Sequence, residues 1–345
     1  SAMSVSPSKA STSGWRSVVF RHETVLLVVL VLEWCYFNSV GPRFATLDNT
    51  YDIMRQSVEI GMLALAMTPV ILTGGIDLSV GSLLGLCAIL FGKLWRDGGL
   101  SPLEAGACTL VLGSLAGGLN AALITGLRLQ PLIVTLGTYS LFRGLAEAIT
   151  HGADTFTDFP ASFLFLGGER WHGVPAQMPI FAAVAVGIWL LVHRTSYGRA
   201  FRAIGFSPEG ARYAGIPVNR RLALVYILAG FVSALAAIIY TSRVGQARAD
   251  AGTGYELFAI TAVVLGGTSI FGGVGSVHGT LFGIAAIAVL NNGLVHARLP
   301  REAAGMLTGA LLLLALSGSV APKLWSSWRA RRSVPSSPAP QPKPA

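Results

Sequence analysis

The sequence predicts an all-α, polytopic membrane protein with about ten transmembrane helices. Three observations point there. Hydrophobic residues make up 52% of the 345-residue chain and charged residues only 12%, roughly half the charged share of a soluble domain. Mean hydropathy is +0.62. The apolar residues also cluster in repeated runs close to the about 20 residues that cross a bilayer. A soluble chain of this size would carry more apolar surface than one core can hide. The 41 glycines suit close packing of membrane helices.

Taken in order, the spans are predicted at 22–40, 54–73, 78–95, 103–126, 131–150, 176–193, 221–241, 254–266, 276–295 and 302–320. The first run is too long for the apolar core of a signal peptide, so it reads as a retained span. The eighth run is short and reads as either a complete or a re-entrant span. Residues 22–320 then form a single transmembrane domain. Residues 1–21 are a Ser-rich tail, and 321–345 a Pro- and Ser-rich one. Between spans, 151–175 form a long loop with His151, Asp154, Asp158, Trp171 and His172, and 194–220 form the largest loop on the other side.

The net charge of +9 is explained by orientation rather than by nucleic acid. Segments 1–21, 127–130, 193–221 and 322–345 hold 15 of the 25 basic residues against a single acid, Glu209. The opposite loops mix signs, as in Arg170 with Asp154, Asp158 and Glu169. The positive-inside rule therefore places both termini in the cytoplasm. Cys35, Cys87 and Cys108 lie within apolar runs without metal-ligand spacing and read as packing residues.

The chain lacks a phosphate-binding G-x-x-x-x-G-K-[ST] loop, since Leu94 follows Gly92-Lys93, so it has no ATP site of that kind. It shows no H-E-x-x-H zinc helix and no catalytic constellation. No metal and no cofactor are expected. Ionisable residues within or near the spans are few: Glu33, Glu59, Asp77, Arg143 and Glu147. A secondary carrier coupled to protons or ions would rely on such groups, with Asp77 and Glu59 as its sites.

The most specific stretch is Leu72-Thr73-Gly74-Gly75-Ile76-Asp77-Leu78-Ser79-Val80-Gly81-Ser82. Paired glycines let the backbone leave helical geometry, and Asp77 or Ser79 can cap the helix that follows. Broken backbone at membrane depth persists only where protein or a water-lined cavity covers it. The stretch reads either as a tight turn between spans or as part of a substrate path, and the two are compatible. An echo occurs later. Val263-Val264-Leu265-Gly266-Gly267 precedes Val274-Gly275-Ser276-Val277-His278-Gly279, again a glycine pair followed by a restart at V-G-S-x-x-G. Gly-rich breaks in corresponding halves point to a transport path built from repeats.

These residues resemble the signature of permease subunits of ABC importers for monosaccharides, the group serving ribose, xylose, rhamnose and autoinducer-2. Pro131-Leu132-Ile133-Val134-Thr135-Leu136-Gly137-Thr138 with Arg143-Gly144 resembles the family's fifth-span motif. Tyr197-Gly198-Arg199, Ala203-Ile204-Gly205 and Gly215-Ile216 resemble its cytoplasmic loop, and the late glycine motif extends through Gly279-Thr280. The likeness covers about residues 40–320. Details such as Ser207-Pro208-Glu209-Gly210-Ala211-Arg212-Tyr213 look closest to the autoinducer-2 and rhamnose type.

The resemblance implies alternating access in the bacterial inner membrane. It implies a separate ATPase subunit, with two cassettes in one chain, a periplasmic sugar-binding protein and a second permease chain, identical or different. It offers Gly74, Gly75, Asp77, Ser79, Thr135, Gly137, Gly266 and Gly267 as pathway residues. Residues 194–220 also stand on their own: Ser207 can cap a short helix that Pro208 and Glu209 favour at its start and that Gly215 ends. Composition alone reads this loop as a solvated, topology-setting segment. The resemblance makes it a coupling helix between the sixth and seventh spans, with Ser207, Glu209, Arg212, Tyr213 and Gly215 as ATPase-facing candidates.

Overall fold

The computed structural model describes residues 22–299 and 305–314. The tails predicted at 1–21 and 321–345 lie outside the described residues, and the tenth predicted span is described only over its central part. The described residues are helical almost throughout. The helices are α1 (His22–Val40), α2 (Leu47–Leu72), α3 (Val80–Arg96), α4 (Pro102–Gly126), α5 (Pro131–Ile149), α6 (Ala161–Gly168), α7 (Met178–Trp189), α8 (Ser196–Phe206), α9 (Pro208–Tyr213), α10 (Val218–Val244), α11 (Tyr255–Leu265) and α12 (Val277–His296). Helix α13 covers Gly305–Leu314.

Among the described residues four helices, α4, α5, α10 and α12, are long and apolar enough to cross a membrane. A fifth span arises if α7, its π-helical end Leu190–Arg194 and α8 count as one span bent by 69°. The other helices miss that standard for local reasons. The first half of α2 carries Asp48, Asp52, Arg55 and Glu59, and α3 has only 17 residues. Within the long loop that the sequence predicts at 151–175, the structure folds α6 and a two-stranded hairpin pairing Arg170–Trp171 with Val174–Pro175.

The core is built around α2, α3 and α10. From Gly61 to Leu72 every residue of α2 is buried, and α3 is buried from Val80 to Ile89. Helix α10 packs most closely on α4, where Gly113 and Gly117 sit against Gly230. Small residues at such a contact let two helix backbones approach, the main route to affinity between helices in lipid. The outward faces of α4 and α5 carry Val111, Leu115, Ile133, Leu136 and Leu141, all exposed. Apolar helices that show large aliphatic side chains to the outside match a lipid environment.

Candidate functional site

The sequence marks the segment 73–80 first, and the structure shows how the chain breaks there. Helix α2 ends at Leu72, and Gly74 takes a positive φ of 82°, a conformation glycine adopts without steric cost. Gly74 and Gly75 return amide hydrogen bonds to the carbonyls of Ile71 and Val70. Gly75 lies beneath the phenol of Tyr226 from α10, with no room for a Cβ.

The capping differs from the expected form. Ser79 occupies the cap position of α3, but its hydroxyl makes no capping bond. Instead Asp77 Oδ1 accepts the Ser79 amide at 2.9 Å and the Ser79 hydroxyl at 2.6 Å. The turn is thus tied two residues ahead of itself, in the manner of an Asx turn.

From Ser79 a polar chain crosses the core. Asn120 of α4 donates its amide to Ser79 Oγ at 2.9 Å. Asn120 Oδ1 accepts from Thr138 Oγ1 of α5 at 2.8 Å. Thr135, one turn away, donates to the carbonyl of Ile76 at 3.1 Å. All of these side chains are buried. Buried polar groups need partners, and here each helix lends one to the next. Of the fifth-span candidates, Thr135 joins this network. Gly137 does not: it lies on the outer face of α5 with open space around it. Asn120 and Tyr226 were not among the sequence candidates, and Thr138 entered only as part of a motif.

The second break closes α11. Gly266 meets Gly279 of α12 backbone to backbone, and Gly267 adopts a φ of 85°. The echo is real in outline but shifted in register. In the first copy the helix starts at Val80 and Ser82 lies inside it, donating to the Ser79 carbonyl. In the second the helix starts at Val277, and Ser276 caps it by accepting the Gly279 amide at 3.0 Å.

The two breaks touch. Gly273 donates its amide to the Leu72 carbonyl at 2.9 Å. A Cβ on Gly272 would fall 2.8 Å from the amide nitrogen of Gly74 and 2.9 Å from Cα of Gly205 in α8. Gly205 itself faces the Leu72 carbonyl and the Gly273 nitrogen. Backbone from α2, α8 and the 266–276 segment therefore meets at one junction, where a side chain on Gly205 has no space.

One residue, Ser207, separates α8 from α9. Ser207 Oγ accepts the Gly210 amide at 3.0 Å, Pro208 opens the helix and Glu209 lies in its first turn. Gly215, at φ 78°, follows its end. Ala211 is buried against Ile204 and Val218, which fixes α9 to its neighbours. Glu209, Arg212 and Tyr213 all face outward, and Tyr213 is 92% exposed.

The ionisable groups that a carrier would need are engaged elsewhere. Asp77 is held by Ser79. Glu59 Oε1 accepts from Arg243 Nε at 2.6 Å and is fully buried. Arg143 donates to the backbone carbonyls of Ala249 and Ala251.

This combination of apolar outward faces, broken helices meeting in the core and an exposed short helix defines a multi-pass helical membrane transport protein. The chain belongs to the permease family described as the permease component of the branched-chain amino acid transport system, whose model matches residues 49–316. It is 39% identical over 318 residues to the autoinducer 2 import system permease protein LsrD of Escherichia coli strain K12, covering 90% of this chain and 96% of that one. It is equally similar to the LsrD protein of Shigella flexneri, and 38% identical to that of Escherichia coli O157:H7 over the same shares. No solved structure matches the chain.

Proposed function

We propose that the chain is the transmembrane subunit of an ATP-binding-cassette importer that moves a monosaccharide or sugar-like solute, of the autoinducer-2 or rhamnose kind, into the cytoplasm. It acts in the bacterial inner membrane beside a second permease chain, with surrounding lipid against its apolar faces. A periplasmic binding protein delivers the solute, and a separate double-cassette ATPase supplies the energy. Residues 22–320 form the membrane domain with about ten spans, α11 being either a short span or a re-entrant one, and both termini lie in the cytoplasm.

One observation carries this reading: α9 is a capped, exposed helix joined through one residue to the helix that sits in the junction of the two breaks. Glu209, Arg212 and Tyr213 contact the ATPase, and Ser207 and Gly215 set the ends of the contact helix. A push on α9 moves Gly205 against Leu72 and Gly273, and so bears on both breaks together. Gly74, Gly75, Asp77, Ser79, Thr135, Gly266 and Gly267 belong to the segments that move. Gly137 lies on the outer face of α5, and it stays in the proposed pathway on the side open to the second permease chain. Switching a 1:99 equilibrium to 99:1 takes about 5.5 kcal/mol of differential binding. The chain has no fuel site, so ATP and the docked binding protein provide it.

The test is reconstitution with the ATPase, the second permease and the binding protein in liposomes. Uptake should require internal ATP and survive collapse of the proton gradient. Uptake that persists without ATP and fails when the gradient is lost would restore the carrier reading.

A further inference from the structure

Arg143 of α5 is committed to backbone rather than to a carboxylate. Its Nη1 donates to the carbonyls of Ala249 and Ala251, the second at 3.1 Å. These carbonyls belong to the segment 245–254 that joins α10 to α11. The segment descends along α3. Ala247 exchanges backbone hydrogen bonds with Phe156 at 2.9 and 3.1 Å, and Phe156 rests on Gly92. The carbonyls of Ala249 and Ala251 lie at Gly85, and that of Gly252 lies at Gly81. Non-helical backbone among spanning helices needs partners from the protein, and Arg143 serves two of these carbonyls.

Glu256, in the first turn of α11, meets the same face of α3. Gly81 and Gly85 are four residues apart, so they share that face about 6 Å from each other. Arg143 Nη1 lies 2.8 Å from where a Cβ on Gly85 would stand, and Glu256 Oε2 leaves no room for one on Gly81. A guanidinium and a carboxylate are thus lodged about one helical turn apart along a glycine groove. Glu256 is 6% exposed, and both Glu256 Oε2 and Arg143 Nη2 are buried without a hydrogen-bond partner. The two charges interact across the gap, while the contacts of Arg143 go to the carbonyls. Buried charged groups with unmet hydrogen bonds are costly. Closing this pair would satisfy both orphaned atoms at once.

The segment that holds Arg143 is built to move. Gly245, Gly252 and Gly254 have φ of 73°, 71° and 81°, and small residues at segment ends absorb the backbone change of a hinge. Its outer side is exposed and charged: Arg248 clasps Asp250 at 2.9 and 2.8 Å. Ala249, these two and Glu147 border a surface cavity of about 330 Å³. Glu147 follows Arg143 by one turn of α5 but is exposed, so Glu256 is the buried carboxylate beside the guanidinium. The helices that carry the two charges also reach the glycine breaks. Helix α5 bears Thr135, bonded to the Ile76 carbonyl. Helix α11 has 11 residues, so its end at the Gly266 break lies about 16 Å from its start.

We propose that Arg143 is a two-position latch: it holds the segment 249–251 against α3 in the state described here, and in a second state of the transport cycle it releases those carbonyls and pairs with Glu256. The proposal rests on the permease reading above and adds a positioning residue to it. The exchange is balanced, since the guanidinium trades two carbonyls for a carboxylate and the lifted carbonyls reach solvent. Pairing draws α5 towards the start of α11, so the latch bears on both glycine breaks from the far ends of the helices that reach them.

The experiment uses the complete importer in proteoliposomes. Thr253→Cys is the reporter, in a Cys35→Ser, Cys108→Ser background, because Thr253 and both of those cysteines are exposed. Labelling by a small maleimide is measured without nucleotide and after trapping with ATP and vanadate. Trapping should change the rate several-fold when the latch residues are intact. Glu256→Gln keeps the contacts of Arg143 with the carbonyls, so its melting temperature and nucleotide-free labelling should not change. It lacks the second position, so trapping should no longer alter labelling. Its kcat for ATP hydrolysis by the complex should fall about tenfold with KM for ATP unaltered, the scale of one hydrogen bond to a charged group. Arg143→Met should label fast with and without nucleotide, and Arg143→Lys should regain part of the labelling change. A lower melting temperature in Glu256→Gln with the labelling change intact makes Glu256 structural and overturns the latch. So does unaltered hydrolysis in that variant. A reporter protein that responds to the proton gradient and not to ATP overturns the permease reading, and the latch still stands if Glu256→Gln abolishes that response. A reporter that responds to neither overturns the latch.

Discussion

The amide of Gly273 donates to the carbonyl of Leu72 across 2.9 Å. A helix ends with carbonyls that have no partner within the helix, and Leu72 is the last residue of α2. Its carbonyl is satisfied by the segment that breaks the chain 200 residues later. The two breaks are thus hydrogen-bonded to each other, and Gly205 of α8 occupies the remaining space between them.

The first prediction concerns that space. Gly205→Val places a branched side chain against backbone that cannot retreat without separating Leu72 from Gly273. Overpacking of this kind costs about 1–3 kcal/mol. The variant should insert in the membrane, melt several degrees lower in detergent and lose most uptake. Thermal melting and ATP-driven uptake on the same preparation check it. Unchanged uptake with an unchanged melt would remove Gly205 from the junction.

A second prediction separates docking from stability at α9. Tyr213 is 92% exposed, so Tyr213→Ala removes nothing from the fold of this chain. Its melting temperature should match wild type, while stimulation of the partner ATPase by the loaded binding protein should fall several-fold. Ser207→Ala acts through the helix instead. Loss of the N-cap costs about 1 kcal/mol, and both readouts should fall. Equal stimulation by wild type and Tyr213→Ala would argue that α9 docks through another face.

The sequence made part of this arrangement legible, and the divide has a physical basis. Local chemistry announced α9: a capping serine, proline at the first helical position and a left-handed glycine lie within nine residues. The two glycine breaks announced themselves by repetition. Asn120 did not, because a lone amide inside an apolar run has no periodic signature. Its partners are Ser79, 41 residues away, and Thr138, 18 residues away. Gly205 was quoted only as part of a motif, since nothing in the neighbouring residues tells which backbone it approaches. The register shift between the two echoes, with Ser82 inside its helix and Ser276 capping, also lay beyond the pattern.

The polar chain yields the third prediction. Asn120→Leu removes two buried hydrogen bonds, at about 1 kcal/mol each, while the Ser79 hydroxyl keeps Asp77 Oδ1 and the Thr138 hydroxyl keeps the Val134 carbonyl. Asp77→Asn is gentler, since an amide oxygen can still accept from the Ser79 amide and hydroxyl. Its NH₂ group, however, then meets the Asn120 amide that interacts with the Asp77 carboxylate. Melting temperatures should therefore fall in the order wild type, Asp77→Asn, Asn120→Leu, and both variants should transport less. An inverted order would show that the network is anchored at Asp77 rather than shared.

The last prediction concerns the ion pair between α2 and α10. Glu59 is fully buried and Arg243 is 18% exposed, with 2.6 Å between them. Removing one member leaves the other charge without compensation, which costs about 3–5 kcal/mol in a protein interior. Arg243→Gln alone should therefore reduce the yield of folded protein sharply, and Glu59→Gln alone should do so less, because Arg243 retains some access to solvent. The double variant Glu59→Gln with Arg243→Gln removes both charges and keeps hydrogen-bonding side chains in place. It should recover most of the stability lost in Arg243→Gln, since replacing a whole buried pair is often neutral. Transport should recover less than stability, because both charges are then missing from the contact between α2 and α10. A thermal-melt double-mutant cycle isolates the coupling between the two residues, and uptake on the same four proteins separates the fold from the function. Full recovery of uptake in the double variant would make the pair purely structural.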